Sequence, residues 1–201
     1  MSSSLAGDSV EDLFKDSQKP IRVLDLCASP GGKSLHIADI ARKNGVPCEI
    51  ISCDVSEEKL LRIRENIQRT GFGEMTPMVN DGTVYREEWR EAFDLVLSDV
   101  PCSGLGVLAG KPDIKLHMNP ERIQSLWGLQ SDILENAAKY VKKGGTLLYS
   151  TCTINREENE IQTKTFFENH PEYESVESHT FYPGINIIGD GFYYHRMRKH
   201  D

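Results

Sequence analysis

Between residues 21 and 152 the chain alternates short apolar runs with amphipathic stretches, a pattern that few folds accommodate. The runs are IRVLDLC (21–27), CEIISCD (48–54), MTPMVND (75–81), FDLVLSD (93–99) and TLLYSTC (146–152). Each has the length and composition of a strand. A helix is expected from about Lys33 to Lys43, after the turn ASPGG. A second, EEKLLRIRENIQRT, carries apolar residues at 60, 61, 63 and 67. Ser56 suits its N-cap, Glu57 and Glu58 its first turn, and Gly71 its stop. A loop rich in Gly, Pro and Lys (103–120) precedes a long helix from about Pro120 to Val141, which Gly144 and Gly145 end. Residues 155–169 read as a further helix holding Ile161, Phe166 and Phe167. Strands alternating with helices imply an α/β fold around a mostly parallel, doubly wound sheet. YESVESHTF and GFYYHRMRK then close it as an antiparallel C-terminal strand pair. Residues 1–19 are polar and show no clear period, so a flexible or weakly helical lead-in is expected there, with 20–201 as the domain.

Composition bounds the function classes. At 201 residues, 38% hydrophobic and 27% charged, the chain fits one domain with one good core. No apolar run approaches the ~18 residues of a membrane span, and the start MSSSLAGDSVEDLF has no signal-peptide core. The five cysteines are odd in number and form no CxxC pair, which argues for a reducing cytoplasm and against a disulfide framework or a metal site. A net charge of −8 and a pI near 5.3 cut against tight, autonomous binding to nucleic acid. Basic residues do cluster, with Arg196, Arg198 and Lys199 at the C-terminus and Arg62, Arg64 and Arg69 on one helix. A solvated surface explains these equally well.

In an open α/β sheet the carboxyl ends of the strands face the ligand crevice. Asp25, Asp54, Asp81 and Asp99 stand at or near four such ends, Cys102 just past the fourth strand and Cys152 at the end of the fifth. A buried thiol is more often inert than reactive. Two thiols brought to one crevice, with Asp99 and Pro101 beside Cys102, point instead to covalent chemistry on a substrate between them. The first strand-to-helix turn, Cys27, Ala28, Ser29, Pro30, Gly31, Gly32 and Lys33, offers glycines for close backbone approach and a helix N-terminus. It is not a P-loop, because Cys27 stands where the first glycine belongs, and the G-x-G-x-x-G spacing of a dinucleotide fold is absent. What remains is a nucleoside without a polyphosphate, such as S-adenosylmethionine. Asp54 suits its ribose hydroxyls, although it would suit NAD as well. Asp81 is placed either to reach an adenine amino group or simply to cap the turn NDGT.

LDLCASPGGKS, SCD, NDG, LSDVPCSGLGV and LLYSTCTINREENE together resemble the motif series of the Sun-family RNA cytosine-5 methyltransferases, of the bacterial small-subunit ribosomal RNA methyltransferase B type. The resemblance covers about residues 21 to 200 and departs at Ser29 and Val100, where the family has alanine. It implies a Rossmann-like S-adenosylmethionine-dependent methyltransferase fold acting on RNA, with ribosomal RNA as the expected partner. Cys152 would attack carbon 6 of an unpaired or flipped cytosine, and Cys102 would assist product release. Asp99 would hold the ring nitrogen or the exocyclic amine, and with residues 27–33, Asp54 and Asp81 it is also expected to border the cofactor. Lys111, Lys115 and His117 form a candidate RNA-facing lip, or an ordinary solvated loop. Family members carry an RNA-binding region before the catalytic core, and only about twenty unpatterned residues stand there, so that region is expected to be missing, reduced or supplied by a partner. Two other readings compete: a non-catalytic cofactor-binding scaffold in RNA processing, and a methyltransferase of small molecules or proteins. Both leave the paired thiols without a task.

Overall fold

The computed structural model describes residues 2–15, 17–185 and 189–201. Seven strands form one sheet: β1 (Ile21–Asp25), β2 (Cys48–Asp54), β3 (Met75–Val79), β4 (Phe93–Asp99), β5 (Val141–Thr151), β6 (Tyr173–Phe181) and β7 (Phe192–Lys199). Their order is β3-β2-β1-β4-β5-β7-β6. The first five are mutually parallel, and β7 pairs antiparallel with both β5 and β6. The mostly parallel sheet with an antiparallel C-terminal pair is thus the arrangement the sequence implies. The chain runs outward from β1 to β3 and then restarts at β4 on the other side of β1. That reversal opens a crevice beyond the carboxyl ends of β1 and β4.

Helices cover both faces, so the central strands are apolar on both sides. In β4, Leu95 and Leu97 pack on one face with residues of α3 (Gly32–Lys43) and α4 (Glu57–Thr70), while Val96 packs on the other with α6 (Pro120–Tyr140). Ser56 caps α4 by accepting from the Lys59 N–H, and Gly71 closes it at a φ of 71°. Asn119 caps α6 and Pro120 opens it, as fits a first turn whose N–H groups lack intrahelical partners. Among the described residues no helix is long and apolar enough to cross a membrane.

Three expectations need correction. Residues 2–15 are not an unpatterned lead-in: they form α1 (Ser2–Asp8) and α2 (Asp12–Lys15), with Ala6, Val10 and Phe14 fully buried in the core beside α3. Residues 1 and 16 of that segment lie outside the described residues. The long helix stops at Tyr140, before the two glycines, because the N–H groups of Glu91 and Ala92 donate to the carbonyls of Lys139 and Tyr140 and cap it. Val141 already belongs to β5, and Gly144 (φ 71°) and Gly145 form an irregularity within that strand opposite Asp94. Finally, the helix after β5 opens with a π-helical turn, Glu157–Ile161, before α7 (Gln162–Asn169).

The basic clusters are largely consumed by internal pairing. Arg196 donates to the Ser9 carbonyl and to Asp12, Lys199 pairs with Glu91, and Arg64 with Glu57. Arg196 thereby ties β7 to the N-terminal helices.

Candidate active site

The β1–α3 turn lies across the crevice. The Ser29–Pro30 peptide is cis. Gly31 has a φ of 101°, which a side chain would oppose, and a Cβ on Gly32 would meet nothing within 4 Å, so the backbone there is open to close approach. The turn is held from behind: the Ala28 N–H donates to the Cys53 carbonyl, the Ser29 N–H to Asp54, and Asn66 to the Pro30 carbonyl. Asp25, Cys27, Ala28, Ser29, Pro30, Gly32, Lys33 and Asp99 line a cavity of about 170 Å³.

Asp25 is a site residue that sequence reasoning noted as a strand-end acid but did not assign. Its carboxylate is fully buried. One oxygen accepts from Ser34 at 2.7 Å, and the other, Oδ1, has no partner. Burial pushes its pKa up to about 7. An orphaned buried acceptor on a cavity wall is a place for a donor from a ligand.

Lys33 reaches from the first turn of α3 to Asp99 at the end of β4, with Nζ 2.5 Å from Oδ2, and Ser150 donates to the other oxygen of Asp99 at 2.7 Å. The ammonium also lies 5.1 Å from the centre of the Phe192 ring. Next to this pair stand the two thiols, with Cys102 Sγ and Cys152 Sγ 3.2 Å apart. The contact with Cys152 and burial hold the Cys102 thiol well above its usual range, whereas the same contact and the Lys33 charge pull Cys152 down. Burial also raises Cys27, Cys48 and Cys53. Among the described cysteines, Cys152 alone is biased towards the thiolate, the reactive form.

Asp54 is 4% exposed and engaged by the Ser29 and Val55 N–H groups and by Lys59 Nζ, so it adjoins the turn without lining the cavity. Asp81 is exposed and accepts from the Thr83 N–H and hydroxyl, capping its own turn. Lys111, Lys115 and His117 are exposed on and before a short helix, α5 (Ile114–His117). A larger cleft of about 420 Å³ lies among Tyr85, Arg90, Lys139, His170 and Lys199, but its charges pair with neighbours, as in Lys199–Glu91 and Arg90–Glu87. Size therefore does not mark the site; the converging strand ends do.

Sequence reasoning also passed over Glu158, Asn159 and Gln130, all buried close behind the thiols. A sequence signal existed in the polar run NREENE, where an ordinary amphipathic helix would keep all its acids outside.

The family model for 16S rRNA methyltransferase RsmB/F matches residues 14–200. Ribosomal RNA small subunit methyltransferase B of Yersinia enterocolitica is 39% identical over 196 residues, covering 92% of this chain and 43% of that protein. Its Escherichia coli counterpart is 37% identical over 185 residues, covering 88% and 42%. The chain thus spans less than half the length of the curated relatives it matches. The crystal structure of NSun6 from Pyrococcus horikoshii with SFG superposes with a TM-score of 0.81 at 27% identity, covering 98% of this chain and 52% of that one. The sheet is that of a Rossmann-like methyltransferase, and the chain belongs to the 16S rRNA methyltransferase RsmB/F family.

Proposed function

We propose that residues 20–201, with the N-terminal helices packed into their core, form the catalytic domain of a cytoplasmic cytosine-5 methyltransferase that uses S-adenosylmethionine on RNA, with ribosomal RNA as its substrate. The observation that carries this reading is the pair of thiols 3.2 Å apart beside the Lys33–Asp99 ion pair. Carbon 5 of cytosine is too weak a nucleophile to take a methyl group unaided. Addition of the Cys152 thiolate to carbon 6 makes the ring electron-rich at carbon 5. Asp99, held by Lys33 and Ser150, would bind the ring nitrogen or exocyclic amine and stabilise the charge that develops there. After transfer, loss of the carbon-5 proton expels Cys152, with Cys102 assisting that last step. The cytosine must be unpaired or flipped to reach the thiols, and Lys111, Lys115 and His117 would form the lip over which the RNA lies.

The cavity residues fit the cofactor. When bound, S-adenosylmethionine supplies an electrophilic methyl group. The 27–33 turn would receive its methionine part, with the orphaned Asp25 Oδ1 accepting from its ammonium. Asp54 would serve the ribose and Asp81 the adenine amino group. Wild-type protein should form a denaturant-stable complex with RNA carrying 5-fluorocytosine, which blocks the final proton loss. Absence of that complex beside active methyl transfer would remove the covalent reading.

A pH dependence follows from Asp25. Its carboxylate is raised to about 7, so it is ionised above that value and neutral below. An ammonium group prefers the ionised form. Cofactor affinity should therefore fall as pH drops below about 7, by up to about tenfold per unit. Asp25→Asn should bind more weakly and lose that acidic limb. Calorimetry across this range showing the same limb in both proteins would assign it elsewhere.

A further inference from the structure

Glu158 is fully buried and has no lysine or arginine among its hydrogen-bond partners, yet four donors converge on its two oxygens. The Ser103 N–H (2.8 Å) and Gln130 Nε2 (2.9 Å) donate to Oε1. The Ser103 hydroxyl (2.5 Å) and Asn155 Nδ2 (3.2 Å) donate to Oε2. The residues on either side of each thiol all join this cluster. Before Cys102, the Pro101 carbonyl accepts from Gln130 at 2.9 Å; after it comes Ser103 itself. Before Cys152, the Thr151 hydroxyl donates to Asn159 at 2.6 Å; after it, Thr153 has its hydroxyl 2.8 Å from that of Ser103, and its carbonyl accepts from Asn159 at 3.0 Å. The π-helical turn carries the consecutive residues Glu158 and Asn159, which both face inward, one towards each thiol loop.

The geometry points to Glu158 as a positioning residue: it clamps the loop of Cys102 onto the loop of Cys152 and so fixes the distance and direction between the two sulfurs. This inference deepens the proposed function and rests on it for its catalytic consequence. A carboxylate suits the site because three of the four partners are N–H groups, which cannot accept, and an amide would turn its own N–H groups towards the Asn155 donor on Oε2 or the Ser103 and Gln130 donors on Oε1. The negative charge on the Cys102 side further helps to keep the proton on Cys102 and the thiolate on Cys152. A purely structural carboxylate would set stability and leave the thiol pair unaffected.

Glu158→Gln in the full chain separates the two roles. One measurement needs neither RNA nor cofactor: the rate at which diamide closes a Cys102–Cys152 disulfide in folded protein. The diazene takes up the two electrons and two protons that the thiols lose. The alkylation rate of Cys152 by iodoacetamide corrects for thiolate content. Closure should slow by at least about tenfold, and kcat for methyl transfer should fall on the order of 100-fold with KM for RNA unchanged. Ser103→Ala keeps its backbone N–H and should show a smaller loss of the same kind; it decides the matter if Glu158→Gln does not fold. Folded variants with wild-type closure rates and kcat would overturn the assignment. Slowed closure in a protein whose wild type transfers no methyl to RNA would leave the clamp standing and sink the proposed function instead.

Discussion

Cys102→Ala is expected to accumulate as a covalent protein–RNA species, whereas Cys152→Ala should form none and transfer no methyl group. The asymmetry follows from the order of steps, since blocking the last one traps what the first has made. It agrees with the site's electrostatics. The contact with Cys102 and the positive charge of Lys33 both lower the Cys152 thiol, which favours Cys152 as the attacking sulfur. Removing Cys102 also removes that contact, so adduct formation should slow in Cys102→Ala while the adduct persists. Denaturing gels with labelled RNA, with and without cofactor, read both effects. RNA trapped on Cys152→Ala but not on Cys102→Ala would exchange the two roles. Because each variant abolishes turnover by a different route, methylation assays alone would not tell them apart.

Much of this site was legible because a parallel sheet leaves little freedom. A buried strand must be apolar on both faces, so β2 and β4 appear in the sequence at their observed bounds, and whatever follows them must emerge at the crevice. Asp99, Cys102, Cys152 and the 27–33 turn could therefore be placed together from spacing alone. What stayed hidden depends on tertiary partners. The end of α6 is set by two N–H groups from residues 91 and 92, not by a local glycine. Asp25 reads as one more strand-end acid, and only packing shows that one of its oxygens lacks a partner. Glu158 and Asn159 are polar side chains buried at consecutive positions, and the π turn that carries them has no periodic signature.

Phe14→Ala should cost about 3–5 kcal/mol, the usual range for emptying a large aromatic site in a packed core. Against a net stability of ~5–15 kcal/mol that is a large fraction, and it corresponds to a fall in Tm of roughly 6–20 °C for a domain of this size. The basis is that Phe14 is 0% exposed and shares a cluster with Ala6, Val10, Ile37 and Leu95, which joins α1 and α2 to α3 and the sheet. The sequence concealed this because Leu5 and Ala6 lie on one short helix, Leu13 and Phe14 on another and Val10 in the turn between, and neither helix is long enough to show a period. The docking has a further anchor in Arg196, which reaches from β7 to the Ser9 carbonyl and Asp12. Since β7 pairs with β5, and β5 presents Cys152, loosening the N-terminal helices removes support one strand away from the nucleophile. Glu168→Gln, at the exposed Lys164–Glu168 ion pair, should cost less than about 1 kcal/mol and so serves as the surface control. Thermal melts giving Phe14→Ala the wild-type Tm would mean that the two helices detach in solution and that the core closes without them.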